Sequence, residues 1–261
     1  MKYLEPDLDR VKTCLKANFV EPFTNNELTK FLIGESKFIR SKLAILYFKA
    51  QNLDFDAQIY NILAVGEIIH NSSLLHDDVL DNADSRRGNP TLSKLFGNKI
   101  SILAGDYLLV YAIEKLLSLQ NSNIIEVFKN CTKKMCESEI QQFLKRGIVP
   151  SEDEYLQFCS GKTAELYSAI FESIALVSKL DVVKAREFGK IFGLCFQIKN
   201  DLEINSSIQD KKNNVYTAIN VLGIEKTAYL LDNYKEKMRE MLAEFSDNIY
   251  KKGLEVLIND L

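Results

Sequence analysis

Along most of this chain apolar residues recur every three or four positions, the spacing of a helix face rather than the alternation of a strand. Between 54 and 81, Ile59, Ile62, Leu63, Gly66, Ile69, Ser73, Asp77 and Asp81 fall on one such face. That pattern predicts a helix roughly 40 Å long, well beyond the average globular helix. The same period predicts helices over 8–19, 37–51, 99–119, 122–146, 152–178, 181–204 and 223–245, with a short one over 248–259. Breaks fall at 82–90, 147–151 and 205–214, none long or polar enough to be a linker between domains. There is no internal repeat and no low-complexity tract. The expectation is an all-α chain, one helical domain over residues 1–261.

Composition agrees with a helical globular chain. Of 261 residues, 46% are hydrophobic and 26% charged, and 4 Pro and 11 Gly leave little for a turn-rich all-β fold. The formal charge of −3 argues against wholesale binding of nucleic acid, though not against a local basic pocket. Cys14, Cys131, Cys136, Cys159 and Cys195 are odd in number and form no CxxC pair, which points away from disulfides and zinc and toward a reducing, cytoplasmic compartment. The opening MKYLEPDLDR lacks the apolar stretch of a signal peptide, and no apolar run reaches transmembrane length.

The long helix is unusual in how it ends. Its inward face closes on HDDVLD, with Asp77 and Asp81 one turn apart and Asp78 beside them. Two carboxylates at that spacing repel each other unless a cation sits between them, and hard oxygen donors of this kind suit Mg²⁺, which commonly bridges phosphates. A solvated acidic helix end would give the same letters. The following Asp84-Ser85-Arg86-Arg87-Gly88 adds two guanidiniums, whose forked donors match phosphate oxygens, so acids and arginines together read as a diphosphate clamp. No GxxxxGK[ST] occurs, so a P-loop is excluded.

The segment LLHDDVLDNADSRRGNPT closely resembles the first aspartate-rich motif of the trans-isoprenyl (polyprenyl) diphosphate synthases, and the resemblance continues in order from about Lys37 to Thr217. It implies an all-helical bundle around a deep central cavity, usually dimeric. The implied reaction is Mg²⁺-dependent condensation of an allylic prenyl diphosphate with isopentenyl diphosphate. By that resemblance Asp77, Asp81 and Asp78 belong to the metal site, Arg86 faces the allylic diphosphate, and Lys37, Arg40, His70 and Arg87 hold isopentenyl diphosphate. Phe38 and Ser41 depart from the family's Gly-Lys-Arg-x-Arg-Pro. Gly161-Lys162-Thr163-Ala164 resembles the segment whose Lys162 and Thr163 meet the allylic diphosphate, and Phe196-Gln197 resembles a Phe-Gln pair whose Gln197 supports the same region.

The second aspartate-rich motif is altered. Asn200-Asp201-Leu202-Glu203-Ile204 stands where the family has Asp-Asp-x-x-Asp, and Val215 replaces a lysine farther on. Asn200 and Asp201 are expected to hold a further ion weakly, two to three Mg²⁺ in all, with Glu203, Lys211 or Lys212 as candidate compensators. Ser72 and Ser73 stand a turn or so before Asp77, where short-chain members carry a large aromatic, so a product longer than farnesyl is expected. Two other readings remain: a non-catalytic or regulatory subunit of a heteromeric synthase, which the altered second motif favours, and a terpene cyclase, which Ile204 and Ile208 oppose. Either a homodimer or a heteromer fits.

Overall fold

The computed structural model describes residues 1–17, 37–86, 88–202 and 215–261. Those residues form helices α1 (Glu5–Lys16), α2 (Ile39–Ala50), α3 (Ala57–Leu80), α4 (Leu92–Phe96), α5 (Asn98–Ser118), α6 (Ser122–Leu144) and α7 (Glu152–Cys159). A π-helical turn (Ser160–Ala164) leads into α8 (Glu165–Ser178), followed by α9 (Val182–Leu202), α10 (Ala218–Leu222), α11 (Ile224–Leu242) and α12 (Ile249–Asn259). Among the described residues the only strands are β1 (Ser85–Arg86) and β2 (Asn89–Pro90), an antiparallel pair. The all-α expectation holds, with most predicted helices found within a few residues. None of the described helices is long and apolar enough to cross a membrane.

Two differences have local causes. The predicted helix over 152–178 is interrupted by the π turn, which a periodicity reading does not register because the helical face continues through it. Helices α4 and α10 and the hairpin are too short to show a period; their signals are caps, Thr91 accepting from the Lys94 N–H and Thr217 pairing with Asn220.

The chain divides into two compact units, Met1–Lys42 with Phe55–Ser122, and Leu43–Asp54 with Asn123–Leu261. In the first, α3 is the buried axis. Asp56 starts it by accepting the Ile59 N–H at 2.9 Å, and every residue from Ile62 to Ile69 is buried. Burial on all sides explains why its sequence is more uniformly apolar than that of a surface helix. The one charge in that stretch, Glu67, accepts from the Ser41 hydroxyl at 2.7 Å and the Ser41 N–H at 3.2 Å, which satisfies a carboxylate that would otherwise be costly to bury. Asp7 likewise pairs with the Tyr60 hydroxyl. Helix α5 lies against α3 at Gly105, where a Cβ would come within 2.4 Å of the His76 ring. Tyr111 and Lys115 of α5 reach the last carbonyls of α1, which have no intrahelical partner.

In the second unit α8 and α9 pack closely because two glycines permit it. A Cβ on Gly189 would meet the Tyr167 carbonyl at 2.8 Å, and one on Gly193 would meet the Ala164 Cα at 2.5 Å. Tyr47 of α2 enters an aromatic cluster with Phe171, Phe188 and Phe245, ring centroids 4.5–5.2 Å away. The Ser151–Glu154 capping box starts α7.

Candidate functional site

The acid-rich end of α3 is a built turn rather than a fraying terminus. The Asp81 N–H closes on the Asp77 carbonyl at 2.9 Å, Ala83 N–H returns to the Asp78 carbonyl at 2.9 Å, and Asn82 takes a left-handed φ of 49°. Thr91 then pins the loop, its hydroxyl donating to the Ala83 carbonyl at 2.6 Å and its N–H to the Asp84 carbonyl at 3.1 Å. Between these anchors the hairpin turns through Gly88, whose φ of 82° suits glycine. The result folds Arg86 back onto the helix it has just left, with its Nε 2.8 Å from Asp78 Oδ1.

The three acids therefore differ. Asp78 is buried and its carboxyl is raised from the usual range, chiefly by burial, against the pull of the Arg86 guanidinium, with Asp81 adding to the rise. Asp77 and Asp81 are half-buried, one turn apart, and offer hard oxygen donors. A raised folded-state value means that Asp78, once ionised, opposes folding, and a cation beside it offsets that cost. Among the described residues there is no preassembled group of three or more His, Cys, Asp or Glu side chains that could hold a metal ion. The donors of Asp77 and Asp81 fit Mg²⁺ in the way that suits a metal completed by water and substrate phosphate.

The other sequence-predicted residues of this unit are placed as follows. Lys37 is exposed and Arg40 half-buried, flanking a buried Phe38 in a left-handed conformation (φ 50°) whose carbonyl accepts the Lys42 N–H at 2.8 Å. His70 is half-buried on α3, and its carbonyl accepts from the Ser73 hydroxyl at 2.9 Å. Ser72 is buried and donates to the Gly105 carbonyl at 2.8 Å, so it is a contact between α3 and α5; Ser73 is only half-buried. Arg87, Glu203, Ile204, Ile208, Lys211 and Lys212 lie outside the described residues.

In the second unit, Lys162 sits in the π turn, a helix irregularity that turns side chains off the regular face. Its Nζ is 2.8 Å from Glu139 and 3.3 Å from the Gln142 side chain of α6. The Thr163 hydroxyl donates to Gln197 Oε1 at 2.9 Å, and the Gln197 amide donates to Asp201 Oδ1 at 2.9 Å. Asp201 Oδ2 accepts from the Tyr155 hydroxyl at 2.7 Å and from the Ala218 N–H at 2.8 Å. Asn200, by contrast, is exposed. Sequence reasoning brought together Lys162, Thr163 and Gln197. It missed Glu139, Gln142 and Tyr155; an acid and an amide three apart on α6 were the available signal for the first two. The Cys159 and Cys195 thiols are pushed up to about 12 by burial and stay protonated near neutral pH, so neither offers a nucleophile.

Residues 22–243 match the family model described as polyprenyl synthetase. A prenyl transferase of Cyanidium caldarium is 36% identical over 193 residues, covering 71% of this chain and 60% of that protein. A mitochondrial solanesyl-diphosphate synthase 1 of Oryza sativa is 40% identical over 177 residues, 66% of this chain and 40% of its own length. The chain thus spans less than two thirds of either relative's length. In three dimensions it is similar to a Caulobacter crescentus polyprenyl synthase solved with calcium and isoprenyl diphosphate, at a TM-score of 0.88 and 22% identity, covering 99% of this chain and 94% of that one.

Proposed function

Because the chain belongs to the polyprenyl synthetase family, we propose that it condenses an allylic prenyl diphosphate with isopentenyl diphosphate to make a medium- to long-chain polyprenyl diphosphate. The observation that carries this reading is the acid-rich end of α3: two half-buried carboxylates one turn apart, with Arg86 folded back beside them on Asp78. Hard anionic donors adjoining a forked cation suit a diphosphate bridged by a divalent ion, and relatives named for prenyl transfer and solanesyl diphosphate synthesis agree.

In this reading Asp77 and Asp81 would hold Mg²⁺, which would supply positive charge for the leaving diphosphate. Arg86 and Lys162 are each assigned to the allylic diphosphate, and each would have to exchange a carboxylate partner, Asp78 or Glu139, for phosphate oxygen. The allylic C–O bond breaks with its electron pair leaving on diphosphate. The isopentenyl double bond then attacks the carbocation, and the proton lost afterwards goes to the released diphosphate. Lys37, Arg40, His70 and Arg87 are assigned to isopentenyl diphosphate, and Gln197 with Thr163 to the allylic side. Ser73 is the small residue that leaves room for a long tail.

The partner is a second copy of the chain or a related subunit. Support comes from α5, where Leu103, Val110, Ile113 and Leu117 form an exposed apolar stripe whose first, second and fourth members are spaced by seven. Five free thiols support a reducing, cytoplasmic location. A regulatory-subunit role is the second reading, favoured by the exposed Asn200 and by an Asp201 already hydrogen-bonded within the protein. Purified protein incubated with Mg²⁺, farnesyl diphosphate and isopentenyl diphosphate, with chromatography of the dephosphorylated products, separates the two. Products longer than farnesyl from the chain alone establish the synthase, and products only with an added partner establish the subunit.

A further inference from the structure

The altered second motif retains one aspartate, and its surroundings give it a different task from that of Asp77 or Asp81. Asp201 is buried, and three protein donors converge on it: Tyr155 and Ala218 on one oxygen, at 2.7 and 2.8 Å, and Gln197 on the other, at 2.9 Å. A metal-bound carboxylate must present lone pairs outward to the ion and its waters. Here Tyr155, Gln197 and the first N–H of α10 already take up three of its roughly four lone-pair directions. The chain of bonds continues from the Gln197 carbonyl to the Thr163 hydroxyl, inside the π turn that carries Lys162. Asp201 fixes which way the Gln197 amide faces: its NH₂ end is drawn to the carboxylate, so its oxygen is turned to Thr163.

We propose that Tyr155 and Asp201 are positioning residues, not metal ligands, and that through Gln197 and Thr163 they hold the Lys162 turn in the shape that receives the allylic diphosphate. The role of Lys162 rests on the proposed function; the hydrogen-bond relay does not. Each side of the relay is anchored on a different helix. Tyr155 comes from the middle of α7, Gln197 and Asp201 from the last two turns of α9, and Ala218 from the start of α10, so a single carboxylate ties three helices together. Burial raises the Tyr155 phenol well above its usual value, with Cys159 and Asp201 contributing, so it remains a neutral donor. The relay also gives a physical reason for Asp201 in a motif whose other two aspartates are replaced by Asn200 and Ile204.

The test uses the full chain with Tyr155→Phe and Asp201→Asn, which keep shape and remove one donor or the anionic acceptor. In EDTA, with no divalent ion present, amide hydrogen exchange is expected to quicken about tenfold at Ala218 and across residues 161–164 in both variants, with α3 and α5 unchanged. The double variant is expected to go little beyond the larger single effect, because both act on one network. In turnover assays both are expected to raise KM for the allylic diphosphate severalfold while leaving KM for isopentenyl diphosphate unchanged. Unchanged exchange at residues 161–164 in both variants would overturn the relay. So would an Asp201→Asn effect that appears only as a higher Mg²⁺ requirement while Tyr155→Phe is silent. A protein without turnover would count against the proposed function alone, since the exchange arm in EDTA still decides this one.

Discussion

Two long helices, α3 and α9, end in acids, and the acids meet opposite fates. At the end of α3, Asp77 and Asp81 stay half-buried on a turn that the loop behind them holds in place, with Arg86 donating to the buried middle acid, Asp78. At the end of α9, Asn200 is exposed and Asp201 is buried under three donors. An aspartate near a helix end is thus proposed as a metal ligand in one place and is hydrogen-bonded at a helix junction in the other. Burial and hydrogen-bond partners are set by neighbours distant in sequence, which residue spacing does not report.

The sharpest way to break the comparison is to remove one acid from each helix end. Asp81→Ala is expected to lower turnover by roughly two to three orders of magnitude, the scale of losing a principal electrostatic stabiliser of the leaving group, whereas Asn200→Ala changes it little. Comparable losses in a product assay would erase the distinction. Next in size is Gly193→Ala. The new methyl would lie 2.5 Å from the Ala164 Cα, so a loss of about 1–3 kcal/mol in denaturant unfolding is expected, with allylic KM raised because the π turn moves. A variant as stable as the parent would show that α8 and α9 can part freely.

Along α3 the two serines divide in the same manner. Ser73→Phe is expected to shorten the prenyl product with little change in melting temperature. Ser72→Phe, which must displace a buried hydroxyl bonded to Gly105, is expected to destabilise the fold by about 1–3 kcal/mol. Product chromatography beside thermal melting reads both, and an unchanged product from Ser73→Phe would remove that position from the wall. The smallest effect concerns α7. The Glu154 carboxyl is held down to about 2 from an ordinary 4.5, first by the Lys145 hydrogen bond and then by Ser151. A depressed carboxyl stabilises the fold above its ordinary value, and that contribution is lost as pH falls through about 2. Melting temperature plotted against pH should therefore fall less steeply for Glu154→Gln over that window, and equal slopes would contradict the pairing.

Much of this was legible in the chain itself. Period and length gave the long helices, because a buried stripe repeats many times along them. The acid end of α3 stood out because charge on an inward face conflicts with burial unless something compensates it. The resemblance extended that to Lys162, Thr163 and Gln197. Less legible was everything decided by contacts distant in sequence. Tyr155 and Asp201 are 46 positions apart and Asp201 and Ala218 are 17 apart, and no local pattern announces that they meet. Ser72 and Ser73 were equivalent as letters; one helical step of 100° turns one toward Gly105 and leaves the other partly open. The π turn was hidden because one extra residue in a helix barely disturbs its periodicity.

The most direct single measurement is the Mg²⁺ concentration for half-maximal turnover, taken side by side for the parent chain, Asp81→Asn and Asp201→Asn. The first substitution is expected to raise it by about tenfold or more, as loss of a charged ligand should, and the second to leave it where it was. A requirement raised by Asp201→Asn and untouched by Asp81→Asn would put the ion at the wrong helix end and contradict the account.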